Sequence, residues 1–158
     1  GDTLTYSSGR FVPSAPWTPV KNYFEASGLS VDITYTSGNY LPLPLISIVD
    51  VSNSYDATTG VWTCPEDGTY FFIAQHNSAA LAGSLAAVSP KGGFFRLNQT
   101  NLISRTQTGS ATVLIDSCSM SRTLTQGDTI EWCFWNGSQS GTLSDGLSQL
   151  SFAGWQIR

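Results

Sequence analysis

The stretch Tyr55-Asp56-Ala57-Thr58-Thr59-Gly60-Val61-Trp62-Thr63-Cys64-Pro65-Glu66-Asp67-Gly68-Thr69-Tyr70-Phe71-Phe72 decides the fold. It reads as a turn, a short strand, a second turn and an aromatic strand. Gly60 and the Pro65 to Gly68 segment carry the turn chemistry: Gly accepts left-handed backbone and Pro presets φ. The aromatics on either side of the second turn suit a half-buried pleated surface.

The same pattern extends outward in both directions. Leu29-Ser30-Val31-Asp32-Ile33-Thr34-Tyr35 alternates, which places Leu29, Val31, Ile33 and Tyr35 on one face of an expected strand. Leu45 to Val51 is a denser apolar run, expected to be buried on both sides. In Thr69 to Gln75, Tyr70, Phe72 and Ala74 share one face, and Phe71 and Ile73 the other. Phe94 to Leu97, Ala111 to Cys118, Thr129 to Trp135 and Gln149 to Ile157 complete the set. Gly, Ser and Asn clusters separate these segments at short spacing, the pattern of a sandwich or barrel. Asn77 to Lys91 is ambiguous: its alanines could form a short helical turn, but Gly83 and Pro90 argue for a loop.

Composition agrees. The 158 residues fit one domain with room for a sizeable core. Charged residues make up 11% of the chain, less than half the usual share, while Ser and Thr make up about a quarter. The net charge is −4 and the seven basic residues are scattered, so no basic cluster exists to neutralise phosphates, and nucleic acid is not an expected partner. The apolar runs are too short for a membrane-spanning helix, and no membrane insertion is expected. No signal peptide is visible, and the missing initiator Met suggests a processed chain or the end of a longer one.

The three cysteines, Cys64, Cys118 and Cys133, cannot all pair within one chain. A hairpin through Leu124-Thr125-Gln126-Gly127-Asp128 would set Cys118 opposite Cys133 and allow a disulfide. Three buried, inert thiols is the simpler reading. Their spacing does not match a zinc site.

Catalysis finds little support. His76 is the only histidine, and no nucleophile–base–orienter set assembles around it. Glu66-Asp67 is the only adjacent acid pair, and turn formation explains Asp67. No catalytic residue, metal ligand or cofactor is assigned. Trp62, Tyr70, Phe72, Phe134, Phe152 and Trp155 lie on expected strands and suit a core or a subunit interface. Tyr23, Phe24, Tyr40 and Trp135 lie near strand ends or loops. Of these, Tyr40, Trp135 and Tyr23 are the candidate ligand contacts, since an exposed aromatic face can stack on a sugar ring. Asn98-Gln99-Thr100 and Asn136-Gly137-Ser138 match the N-glycosylation pattern, which has meaning only in a eukaryotic secretory host.

Several segments carry a resemblance to a known family. Gly68-x-Tyr70-x-Phe72 matches the central motif of the globular head of complement component one-q, a relative of tumour necrosis factor. Phe95-Arg96-Leu97-Asn98, Leu124-Thr125-Gln126-Gly127-Asp128-Thr129-Ile130 and Ser151-Phe152-Ala153-Gly154-Trp155-Gln156-Ile157 resemble later pieces of that family, in its order, over residues 40–158. Trp62 stands where the family usually has Phe, and Ala74 replaces a usual aromatic. The resemblance implies an all-β, ten-stranded jelly-roll sandwich that assembles as a homotrimer and does not catalyse. Some members bind calcium near the trimer apex; oxygen ligands here would have to come from loop acids such as Asp145, backbone carbonyls and water, although Asp145-Gly146 is more simply a turn.

Residues 1–16 read as an extended connector, with one short hairpin around Ser8-Gly9, ahead of a globular domain over 17–158. Gly1-Asp2-Thr3-Leu4-Thr5-Tyr6 and Phe11-Val12-Pro13 resemble a module found in phage fibre and virion proteins just before a terminal domain. Together these resemblances imply a non-enzymatic, extracellular, virion-surface domain, a fibre knob or head decoration that binds a host surface receptor or glycan. Its connector would join it to other virion proteins. Two alternatives remain: a purely structural trimerisation or capsid-decoration module, and a secreted lectin-like or complement-like protein.

Overall fold

The computed structural model describes residues 4–7, 10–13, 21–77, 91–108, 115–137, 140–143 and 150–157, and among these the chain is all β. Two short strands come first, β1 (Leu4–Ser7) and β2 (Arg10–Pro13). They pair around Ser8-Gly9, with Ser7 opposite Arg10. Next come β3 (Tyr23–Leu29), β4 (Ile33–Tyr35), β5 (Tyr40–Pro42) and β6 (Leu45–Asp50). The opening stretch supplies β7 (Tyr55–Asp56), β8 (Val61–Thr63) and the start of β9 (Gly68–Asn77). Then follow β10 (Lys91–Leu97), β11 (Asn101–Thr108) and β12 (Ile115–Leu124). β13 (Thr129–Asn136), β14 (Gly141–Leu143) and β15 (Ser151–Ile157) complete the order.

Two antiparallel sheets form the body. One runs β12-β9-β15-β3-β6; the other runs β11-β10-β13-β8-β7, with β5 also paired to β13. The chain passes repeatedly between them: β5, β6 and β7 alternate sheets, as do β8 and β9, and β12 and β13. This is the jelly-roll sandwich the sequence implied. β4 and β14 make a separate two-stranded ribbon.

Aromatic side chains from both sheets fill the space between them. Phe24, Tyr70, Phe72 and Phe152 meet Trp62, Phe95 and Trp132, all at most 1% exposed. The Trp62 ring sits 5.0 Å from both Tyr70 and Phe72, and Phe95 sits 5.0 Å from Trp132. Burial of each such side chain stabilises the fold by roughly 1.5–3 kcal/mol. Gly154 faces Phe24 and Phe72 in register, and a Cβ there would lie 2.6 Å from Phe72 and 2.7 Å from Phe24. Only hydrogen at that position lets these rings close over the strand.

At one end of the sandwich the turns hold each other. Asp128 accepts bonds from the Thr125 amide and from Asn98 Nδ2, both at 2.9 Å, and Asp67 accepts from the Gln126 amide at 2.7 Å. Cys64 exchanges backbone bonds with this turn, through its amide to Asp128 and its carbonyl from Gly127.

Four expectations are corrected here. The alternating strand over Leu29 to Tyr35 is broken. Gly28, at φ +72°, and a register shift take the chain out of the sheet after β3, leaving Val31 54% exposed. The Leu45 to Val51 run is not buried on both sides, because β6 is an edge strand. Leu45 is buried, but Ile46, Ile48, Val49 and Val51 are 39–64% exposed. Phe24 does lie near the start of β3, but it is a buried core residue and not one of the exposed aromatics. Cys118 and Cys133 do not face each other across a hairpin, because the Leu124 to Asp128 turn carries the chain from one sheet to the other. All three cysteine side chains are buried. The ambiguous Asn77 to Lys91 segment, apart from its ends on β9 and β10, the start of the Ala111 run, Asp145 and the His76 side chain lie outside the described residues.

Candidate ligand-binding face

The two sheets turn very different faces outward. On β13, Ile130, Trp132 and Phe134 point into the sandwich, so Glu131, Cys133 and Trp135 face away from it. Register then fixes their neighbours. Glu131 lies opposite Val61 on β8 and Arg96 on β10, and Val61 lies opposite Asp56 on β7. The row Asp56–Val61–Glu131–Arg96 therefore crosses four strands. Cys133 lies opposite Pro42, and Trp135 opposite Tyr40.

The row floors an open cleft of about 460 Å³, walled also by Pro42, Thr59 and Thr63. That volume lies within the range of small-molecule sites. Arg96 Nε donates to Glu131 Oε2 at 2.6 Å, and the Glu131 side chain is only 3% exposed. A buried carboxylate held by a guanidinium in this way is a fixed acceptor. Asp56 is held by its own turn. The Thr58 amide donates to Oδ1 at 2.8 Å and the Thr59 hydroxyl to Oδ2 at 2.9 Å; these bonds, the amide first, lower its pKa. Burial pushes the neighbouring Cys133 thiol up to about 12, so it is no nucleophile at neutral pH.

Further along the same face is an aromatic shelf. Tyr40 and Trp135 lie nearly parallel, 25° apart with centroids at 6.4 Å, and Tyr40 is 36% exposed. Phe94 packs edge-on against both, at 5.2 Å and 6.1 Å, and is itself buried. Four residues of strand separate Glu131 from Trp135, about 13 Å at the usual rise.

The structure thus brings Tyr40 and Trp135 together and sends Tyr23 elsewhere. Tyr23 opens β3 on the other sheet, where its hydroxyl donates to Glu25 at 2.7 Å, the bond that chiefly raises its pKa. Trp62, Tyr70, Phe72, Phe134 and Phe152 lie in the core. Trp155 lies outside it, half-buried, 4.9 Å from Phe71 on the outer face of the five-stranded sheet. The sequence reading missed Asp56, Arg96 and Glu131. One signal was available: Glu131 and Arg96 are lone charges within apolar strand runs.

The outer face of the five-stranded sheet is apolar at its centre. Register sets Ser121, Phe71, Trp155 and Tyr23 in one row and Ser119, Ile73, Ala153, Glu25 and Val49 in the next. Ile73 and Ile157 are 41% and 42% exposed, and Glu25 is the only charge in these two rows.

Among the described residues no group of three or more His, Cys, Asp or Glu could hold a metal ion, and no helix is long and apolar enough to cross a membrane. No protein-family model matches the chain, and no curated protein does. Solved structures do match. The globular domain of zebrafish complement 1qA protein superposes with a TM-score of 0.61 at 16% identity, covering 87% of this chain and 98% of that one. Murine APRIL gives 0.62 at 10% identity, covering 86% and 98%. Eiger TNF from S. frugiperda gives 0.60 at 10%, covering 87% and 92%. The chain therefore has the complement one-q and tumour necrosis factor type of jelly-roll fold.

Proposed function

We propose that this chain is a homotrimeric, non-enzymatic binding domain displayed on a virion surface, as a fibre knob or head decoration, where it engages the host cell. The observation that carries the trimer is the apolar outer face of the five-stranded sheet. Phe71, Ile73, Trp155 and Ile157 stand on a face outside a core that is already filled. A second copy is its best occupant. The face is nearly free of charge, so copies of a chain of net charge −4 can meet there without like charges converging. Three copies around an axis bury such a face and leave the six-stranded sheet open to a ligand. The fold likeness to complement one-q and tumour necrosis factor domains supports the same reading. The virion placement rests on the resemblance of the connector, and the antiparallel pairing of β1 with β2 is compatible with the turn between its two motifs.

Two measurements test this. Light scattering on the isolated domain is expected to give the mass of three chains at low concentration with reductant present; a monomer overturns the trimer. Soluble domain is expected to compete with particles for adsorption to host cells. No competition at saturating concentration leaves a purely structural module.

A further inference from the structure

We propose that the outer face of the six-stranded sheet is an oligosaccharide site in two parts, the Tyr40/Trp135 shelf and the Asp56–Glu131–Arg96 cleft. This rests on the reading of the chain as a binding domain and names the ligand class and the residues. A sugar ring presents an apolar C–H face and an edge of hydroxyls. The shelf suits the first: Tyr40 is exposed, and Phe94 packs edge-on against it while Trp135 lies nearly parallel to it. An aromatic fixed by its neighbours loses little freedom when a ring stacks on it.

The cleft suits the second. Glu131 is fixed by Arg96 and Asp56 by the Thr58 amide and Thr59 hydroxyl. Each carboxylate keeps more acceptor positions than these bonds use. Arg96 also compensates the charge of Glu131, and the donors of its own turn already engage both oxygens of Asp56. Such groups act as oriented acceptors for hydroxyl donors rather than as bare charges that require a cation, which favours a neutral polyol over a basic peptide. Val61 and Pro42 add apolar wall between the polar groups, the mixed lining of a small-ligand site. The separation of about 13 Å along β13 requires more than one ring to reach both parts. The ligand is thus a glycan chain laid along β13.

The test uses the trimeric domain on a printed array of microbial and animal-cell glycans, with Tyr40→Ala and Thr63→Trp as variants. Thr63 is exposed at the cleft wall, and a Trp there fills the cleft on a strand that tolerates aromatics. Light scattering and melting temperature show that each variant keeps its fold and mass. The expected result is binding to glycans longer than one ring, about tenfold weaker in Tyr40→Ala and lost in Thr63→Trp. A blank array, or binding that neither variant changes, overturns the inference. Cell binding abolished by protease but not by periodate points to a peptide ligand and also overturns it. In each of those cases, continued competition by the wild-type domain with particles leaves the binding-domain reading standing. Loss of competition as well removes both.

Discussion

Gly60 ends the turn after β7 at φ +76°, and a Cβ there would stand 2.5 Å from the Leu43 carbonyl oxygen. Both the backbone conformation and the close approach of a second chain segment require glycine. Gly60→Ala is expected to lower stability by roughly 2 kcal/mol or more, read from denaturant midpoints. Buried hydroxyl and thiol groups set the alkaline limit. Burial raises Tyr55 to about 12 and Cys133 to about 12, from ordinary values of 10.0 and 9.0. A group whose pKa is higher in the folded chain stabilises it fully below the unfolded value and loses that contribution as pH rises through the folded one. The melting temperature is therefore expected to fall between about pH 9 and 12. Tyr55→Phe should flatten part of that fall. It should also lower stability at neutral pH by about 1 kcal/mol, through loss of the bond Tyr55 accepts from the Leu45 amide.

Among the elements, the turns carry the strongest local information. Asp128 binds the Thr125 amide within its own turn and Asn98 from the turn between β10 and β11. The Asn98 bond, then the Thr125 amide, lowers its pKa. A depressed carboxylate stabilises the fold above its unfolded pKa and loses that contribution as pH falls through the folded one. Stability is thus expected to decline as pH drops below about 4, with Asp56 acting in the same direction. Asp128→Ala should cost about 1 kcal/mol at neutral pH, measured by thermal unfolding. β6 shows where element-level reading stops. Leu45 to Val51 is apolar enough for a central strand, yet its position at the sheet edge leaves most of it exposed. An apolar run states that a strand forms; it does not state how many neighbours that strand has.

For the whole molecule, the division of faces governs function. If the outer face of the five-stranded sheet joins three copies, Ile73→Glu places a like charge from each copy near the axis. This variant is expected to shift the mass by light scattering from three chains to one while circular dichroism stays unchanged, since Ile73 makes no part of the core. A mass of three chains in that variant places the interface elsewhere. The shelf and the cleft lie on the opposite sheet, so the same substitution should not reduce the affinity of each chain for a glycan.

Sequence alone settles the β class, the two turns around Val61-Trp62-Thr63 and the shared face of Tyr70, Phe72 and Ala74. Each of these follows from interactions within a few residues: left-handed glycine, a proline-led turn, period-two alternation. It also singled out Tyr40 and Trp135 as surface aromatics. Tertiary structure is what sets these two opposite each other across β5 and β13. It alone aligned Asp56, Val61, Glu131 and Arg96 in one row, made β6 an edge and separated Cys118 from Cys133. These are facts of register and sheet order. They depend on contacts between segments far apart in the chain, which no local pattern specifies.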